Sequence, residues 1–107
     1  MKSHIIKLVG VKVGDAQENI KKFGCRDIGS FALVREPDNP HDPNAIRVEL
    51  AGLYLGYVPR QIAKNLSPQI DAGRKFIALF VNRNEHPLFD KVGLTVKIVE
   101  YPYQAAA

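Results

Sequence analysis

One polar run constrains this chain more than any other feature: Arg35-Glu36-Pro37-Asp38-Asn39-Pro40-His41-Asp42-Pro43-Asn44, bounded by Leu33-Val34 and by Ala45-Ile46-Arg47-Val48. Three prolines and four Asp/Asn residues cannot form the interior of a helix or strand, because proline lacks an amide donor and fixes φ. Asp and Asn hydrogen-bond to nearby backbone instead, and so hold a turn without regular pairing. With strand-like sequence on both sides, the run predicts a stiff polar loop carried on a β scaffold. Binding residues collect in such places.

The flanking pattern supplies the scaffold. Residues 5–13 are apolar and β-branched, interrupted by Lys7, Gly10 and Lys12, which predicts a first strand kinked at the glycine. Residues 15–23 predict a short helix, with Asp15 as N-cap, Ile20 and Phe23 on one face and Gly24 as the stop. Strands are expected over 30–35 and 44–50; the second alternates Ile46, Val48 and Leu50 against Ala45, Arg47 and Glu49. Ala51-Gly52 reads as a tight turn into a hairpin partner at 53–57. Pro59 opens a helix with Ile62, Ala63 and Leu66 as its apolar stripe, and Ser67-Pro68 starts a second helical segment ending at Gly73. Two further strands are predicted at 75–81 and 92–99, joined by a surface loop over 82–91 around a short Leu88-Phe89 anchor. Residues 101–107 read as a loose tail.

Five or six short strands with one helical interruption leave no room for the repeated βαβ crossovers of a doubly wound sheet. The expected fold class is mainly β: a small, strongly bent antiparallel sheet or Greek-key barrel with one or two short helices. A length of 107 residues suits a single domain with its core in residues 5–100. No stretch approaches the roughly 20 apolar residues of a membrane span, and the N-terminal residues lack a signal-peptide core. A cytoplasmic protein with no membrane partner is expected. Cys25 is the one cysteine, which excludes an intrachain disulfide and a cysteine-rich zinc site and predicts a free thiol.

The formal net charge is +4, unevenly spread. Residues 1–26 carry six Lys/Arg against Asp15 and Glu18, and residues 53–91 carry six against Asp71, Glu85 and Asp90. Between them, Asp27, Glu36, Asp38, Asp42 and Glu49 outnumber Arg35 and Arg47. A basic body around an acidic loop suits an anionic partner, or is ordinary solvated charge.

Three readings of the loop compete. His41 with Asp38 or Asp42 can hold a metal, but further ligands must be gathered from elsewhere, and His4 and His86 have no spacing that predicts convergence. The loop can be purely structural, with Asp and Asn capping turns and Arg35 paired with an acid. Or Asn39, His41 and Asp42 can address bases or sugar hydroxyls while Lys12, Arg60 and Lys64 neutralise phosphate. Tyr57 and His41 offer aromatic faces suited to unpaired bases. Arg60 follows Pro59 at a helix start, where cations are mildly disfavoured, and so points to an anionic partner. No nucleophile and base are specified, and Gly10-Val11-Lys12-Val13-Gly14 does not fit a P-loop. The residues predict no enzyme and no cofactor.

The run from Leu33 to Val48, with Leu55-Gly56-Tyr57-Val58-Pro59-Arg60 and Ile62-Ala63 after it, closely resembles the HIRAN domain family. Val9-Gly10-Val11 and Asp71-Ala72-Gly73 also fit, so the resemblance covers residues from about 5 to 100. It implies a modified OB-type barrel, found alone in bacteria or beside the motor of fork-remodelling DNA helicases, that captures the 3′ end of single-stranded DNA at damaged or stalled forks. By that resemblance Asp42 matches the acid accepting a hydrogen bond from the terminal 3′ hydroxyl, and Asn39 matches a residue contacting the terminal base. Lys12 falls at a basic position of the first strand, and Tyr57 and Arg60 fall where a histidine and a lysine contact phosphate. Val13 and His41 stand where eukaryotic members place two aromatic residues around the end base. One stacking wall is therefore missing, and since stacking contributes about 1–3 kcal/mol per base, its loss weakens binding by about tenfold or more. The implied partners are single-stranded DNA and a helicase or nuclease. The competing expectation is a protein-interaction or regulatory domain on the same scaffold, and a metal-dependent nuclease comes third.

Overall fold

The computed structural model describes residues 4–23, 30–86 and 88–101; Cys25, Gly24 and the tail beyond Tyr101 lie outside the described residues. Six strands form one antiparallel sheet: β1 (His4–Lys7), β2 (Ser30–Arg35), β3 (Ile46–Leu50), β4 (Leu53–Tyr57), β5 (Phe76–His86) and β6 (Phe89–Glu100). Their order across the sheet is β1-β6-β5-β2-β3-β4. Helix α1 (Ala16–Phe23) follows β1 and packs on β4 and β6, and helix α2 (Arg60–Asp71) follows β4. Among the described residues no helix is long and apolar enough to cross a membrane.

Alternation decides which face is inside. Val92, Leu94, Val96 and Ile98 of β6 are buried, as are Ile46 and Val48 of β3 and Phe76 and Ala78 of β5, because successive strand side chains point to opposite faces. Ile6, Ile20, Phe31, Leu55 and Leu66 complete one core beneath the curled sheet. The expected mainly β barrel with two short helices is what forms.

The sheet curls until its two ends meet. Val9, just past β1, exchanges backbone bonds with Tyr57 at the end of β4: Val9 N to Tyr57 O is 2.9 Å and Tyr57 N to Val9 O is 2.8 Å. Gly56 permits the approach. Its φ is +154°, and a Cβ there would sit 2.9 Å from the Val9 carbonyl oxygen, closer than any real side chain tolerates. A register shift between Val48 and Glu49 lies across from it and bends β3 and β4 together.

Several boundaries differ from the pattern-based expectation, each for a local reason. The first strand ends at Lys7 rather than running to residue 13, since Val9 leaves β6 for Tyr57 and Gly10 turns the chain at φ +67°. Gln17 then pins that turn: its amide nitrogen donates to the carbonyls of Val11 (2.7 Å) and Val92 (2.8 Å), and its oxygen accepts from Val92 N (2.8 Å). Strand β3 starts at Ile46 instead of Asn44, because Asn44 and Ala45 close the polar loop. Pro68 does not start a second helical segment; it lies inside α2, which runs on to Asp71. Proline costs a helix one hydrogen bond, and here the buried Leu66 and Ser67 hold the turn around it.

The largest difference is at residues 82–91, expected as a loop. There β5 and β6 extend as one long hairpin with bulges, pairing Asn82 with Thr95, Arg83 with Leu94 and Asn84 with Gly93. Polar bonds replace apolar packing: Asn84 Nδ2 donates across the hairpin to Thr95 Oγ1 at 2.9 Å, and Asn82 Nδ2 donates along its own strand to Asn84 Oδ1 at 2.7 Å. Leu88 is no anchor, since it is 82% exposed at the hairpin end.

Candidate functional site

The polar loop, residues 36–45, hydrogen-bonds to itself. Its base is closed by Glu36 N donating to Ala45 O at 3.0 Å. Inside, Asn39 Oδ1 accepts from the backbone amides of His41 (2.8 Å) and Asp42 (3.1 Å), and Asp42 Oδ1 accepts from Asn44 N (2.9 Å). These are the short side-chain-to-backbone turns that Asn and Asp favour. Asn44 Oδ1 in turn accepts from the buried Ser67 hydroxyl of α2 at 3.1 Å, and Arg35 clamps the same base to α2, donating to both Asp71 oxygens (2.9 and 3.0 Å) and to Ala45 O (2.9 Å). Arg35 holds the Asp71 carboxyl below its usual range.

Beneath the loop lies Glu36. Its Oε1 accepts from the Tyr57 hydroxyl at 2.7 Å and from Asn39 Nδ2 at 2.9 Å, while its Oε2 is 3.7 Å from Arg47. Burial by itself would raise the Glu36 carboxyl, but the bonds from Tyr57 and Asn39 and the Arg47 charge outweigh it and hold it below the ordinary carboxylate value. Burial, then the bond to Glu36 and its charge, push the Tyr57 hydroxyl up to about 12. Tyr57 is therefore a neutral donor at physiological pH.

Tyr54 stands beside Tyr57, ring centroids 5.6 Å apart at 60°, and donates to Gly10 O at 2.6 Å. Arg47 lies 4.9 Å over the Tyr54 ring. Its Nε is 2.7 Å from the Glu49 carboxylate, a contact of charges rather than an aligned hydrogen bond. From α2, Arg60 donates to His41 O at 2.6 Å, with its Nε 3.4 Å from Asp42 Oδ2. The Arg60 side chain is still 74% exposed.

These elements enclose a cleft of about 660 Å³ lined by Asn39, His41, Asp42, Tyr57 and Arg60 over an apolar floor that includes Val9, Val13 and Val58. Five of the six residues expected to contact nucleic acid therefore line one cavity. Lys12 does not line it; it is exposed in the turn next to Val13, which does. Val9 and Val13 expose 47% and 62% of their surface, a wet apolar floor suited to a flat ligand face. Among the described residues no group of three His, Cys, Asp or Glu is placed to hold a metal, and Asp42 is engaged by Asn44 and Arg60.

The HIRAN domain family model matches residues 2–100. The chain belongs to the HIRAN domain family. Its fold agrees with the crystal structure of the HIRAN domain of human HLTF, at a TM-score of 0.67 and 20% identity over 92% of this chain and 74% of that one. A protein from Lactobacillus plantarum matches at a TM-score of 0.68 and 20% identity, over 94% of this HIRAN domain and all of that chain. In sequence, the Fanconi-associated nuclease 1 homolog of Oryza sativa subsp. japonica is 48% identical over 58 residues, half of this chain but 6% of that protein's length.

Sequence reading overlooked Glu36, Arg47 and Tyr54, whose contacts hold Asn39 and Tyr57 in place. Glu36 beside Pro37 in an acidic stretch reads as solvated charge, since its partner Tyr57 is 21 positions away. Tyr54 carried a faint signal, because it and Tyr57 share one short strand.

Proposed function

We propose that this HIRAN domain is a non-catalytic, cytoplasmic module that binds single-stranded DNA and captures its 3′ end in DNA repair. The observation that carries the reading is the single cleft lined by Asn39, His41, Asp42, Tyr57 and Arg60. Asp42 Oδ2, beside the exposed cation of Arg60, is the acceptor for a terminal hydroxyl. His41 and the valine floor take the end base, with the remaining Asn39 amide hydrogen for its edge. Because the Tyr57 hydroxyl already donates to Glu36, Tyr57 contributes its ring rather than a phosphate bond. Arg60 and Lys12 meet phosphates. A module without chemistry of its own acts through an associated motor or nuclease, and the much longer rice relative is named as a nuclease.

The test is fluorescence anisotropy with labelled oligonucleotides bearing a 3′ hydroxyl or a 3′ phosphate, and with blunt duplex, at two salt concentrations. Salt-sensitive binding that is lost with the 3′ phosphate is the expected result. Equal binding of all three removes the end pocket and leaves a general basic surface. A groove of about 390 Å³ lined by Leu33, Ile70, Phe76, Ile77 and Tyr101, rimmed by Arg74 and Lys75, favours a second reading as a protein-interaction domain. Absence of binding to any oligonucleotide would give that reading first place.

A further inference from the structure

The two walls of the cleft come from different parts of the chain. One is the polar loop between β2 and β3; the other is the end of β4, with Tyr57. The pairing of Arg47 with Tyr57 and the bond from Val58 N to Ile46 O (3.0 Å) join their bases, and a single side-chain atom touches both walls. Glu36 Oε1 accepts from Asn39 Nδ2 of the loop wall and from the Tyr57 hydroxyl of the strand wall.

The consequences propagate outward from that atom. With Nδ2 committed to a carboxylate, the Asn39 amide can face only one way, and its oxygen must meet the amides of His41 and Asp42. That bond pair sets the backbone from which His41 and Asp42 project. On the other side, the hydroxyl bond and the contact with Tyr54 fix the Tyr57 ring. Arg47 holds the second oxygen, so the carboxylate cannot rotate freely between its donors. Glu36 itself is not among the residues that line the cleft.

We infer that Glu36 is the positioning residue of this pocket, setting both walls through one shared oxygen without touching the ligand. The inference rests on reading the cleft as a 3′-end pocket. It assigns end discrimination to a residue behind the site, while non-specific attraction stays with Lys12 and Arg60.

Three variants, Glu36→Ala, Glu36→Asp and Glu36→Gln, test it through the ratio of affinities for 3′-hydroxyl and 3′-phosphate oligonucleotides, with thermal melts as the folding control. In Glu36→Ala the ratio falls about tenfold toward one, the scale of losing hydrogen bonds to a charged group, while salt-sensitive binding persists. Glu36→Asp keeps the charge but withdraws the oxygen by one methylene, and loses the ratio too. Glu36→Gln restores most of it, because an amide oxygen still accepts from both donors. A purely structural role would lower the melting temperature without this split between discrimination and total binding. Should Glu36→Ala not fold, Glu36→Asp decides: a folded protein with full discrimination overturns the inference. A wild-type protein with no end preference overturns the pocket reading instead, so the two failures are distinguishable.

Discussion

Arg60 reaches back from the first turn of α2 to donate to the backbone carbonyl of His41 at 2.6 Å. The bond ties the most exposed cation of the cleft to the loop that presents Asp42, whose carboxylate is 3.4 Å from Arg60 Nε. A charge that is 74% exposed contributes little to folding, so its removal should appear in binding.

Arg60→Ala should therefore melt close to wild type yet bind single-stranded DNA more weakly. Each phosphate contact to a single strand contributes about 0.7 to the slope of log affinity against log salt. The slope should fall by about that amount, and an unchanged slope measured by titration across salt would remove Arg60 from the phosphate contacts.

Asp42→Asn keeps an oxygen for Asn44 N but removes the negative charge. The expected outcome is a loss of preference for the 3′ hydroxyl together with tighter binding of a 3′ phosphate, since like-charge repulsion is relieved. Parallel anisotropy titrations of the two ends check it; equal loss for both would mean that Asp42 serves the loop alone.

The Glu36 carboxyl is depressed in the folded protein from its ordinary value of 4.5. The stability it contributes is thus fully present above that value and is lost as pH falls through the lowered folded value. Melting curves should show wild type above Glu36→Gln near neutrality, with the gap closing in acid. Tyr57 behaves oppositely: its hydroxyl is raised from 10.0 to about 12, so its contribution is intact below 10.0 and disappears as pH climbs through about 12. A gap that widens in acid would contradict the Glu36 assignment.

Gly56→Ala places a Cβ against the Val9 carbonyl and should destabilise the protein by about 1–3 kcal/mol, the usual scale of forced backbone strain. Gly52→Ala is the control. Its φ of +85° is also unfavourable, but nothing lies within 4 Å, so its loss should be the smaller one in denaturant melts.

What the chain reveals before folding follows from where its signals are local. β6 was legible because Val92, Leu94, Val96 and Ile98 face one core at every second position. The hairpin at Ala51-Gly52 was legible because a glycine lies in a two-residue connection between alternating runs, although Ala51 also takes a positive φ there. Asn39, His41 and Asp42 were legible as a cluster because prolines force them close together. The extension of β5 and β6 was not, since Asn82, Asn84 and Thr95 pair through polar groups and leave no hydrophobic period. Pro68 misled for a related reason: local propensity predicts a break, whereas burial of Leu66 and Ser67 is a tertiary effect that outweighs it. Glu36 was invisible because its meaning depends on Tyr57, which the pairing of β2 with β3 and of β3 with β4 brings near.

The closure of the sheet at Val9 and Tyr57 is also where binding and folding meet. Val9 and Tyr57 belong to the opposite ends of the strand order, and both line the cleft. A barrel whose last seam is open has every strand pair in place and still has no receptor. A bound oligonucleotide would thus act as a staple across the seam, and at a hundredfold excess over Kd it should add about 2.7 kcal/mol to stability. Hydrogen exchange would show this as slowed opening at the amides of Val9 and Tyr57. On the proposed reading, ligand capture and completion of the barrel are coupled, and a chain with its seam open would lack the cleft that takes a DNA end.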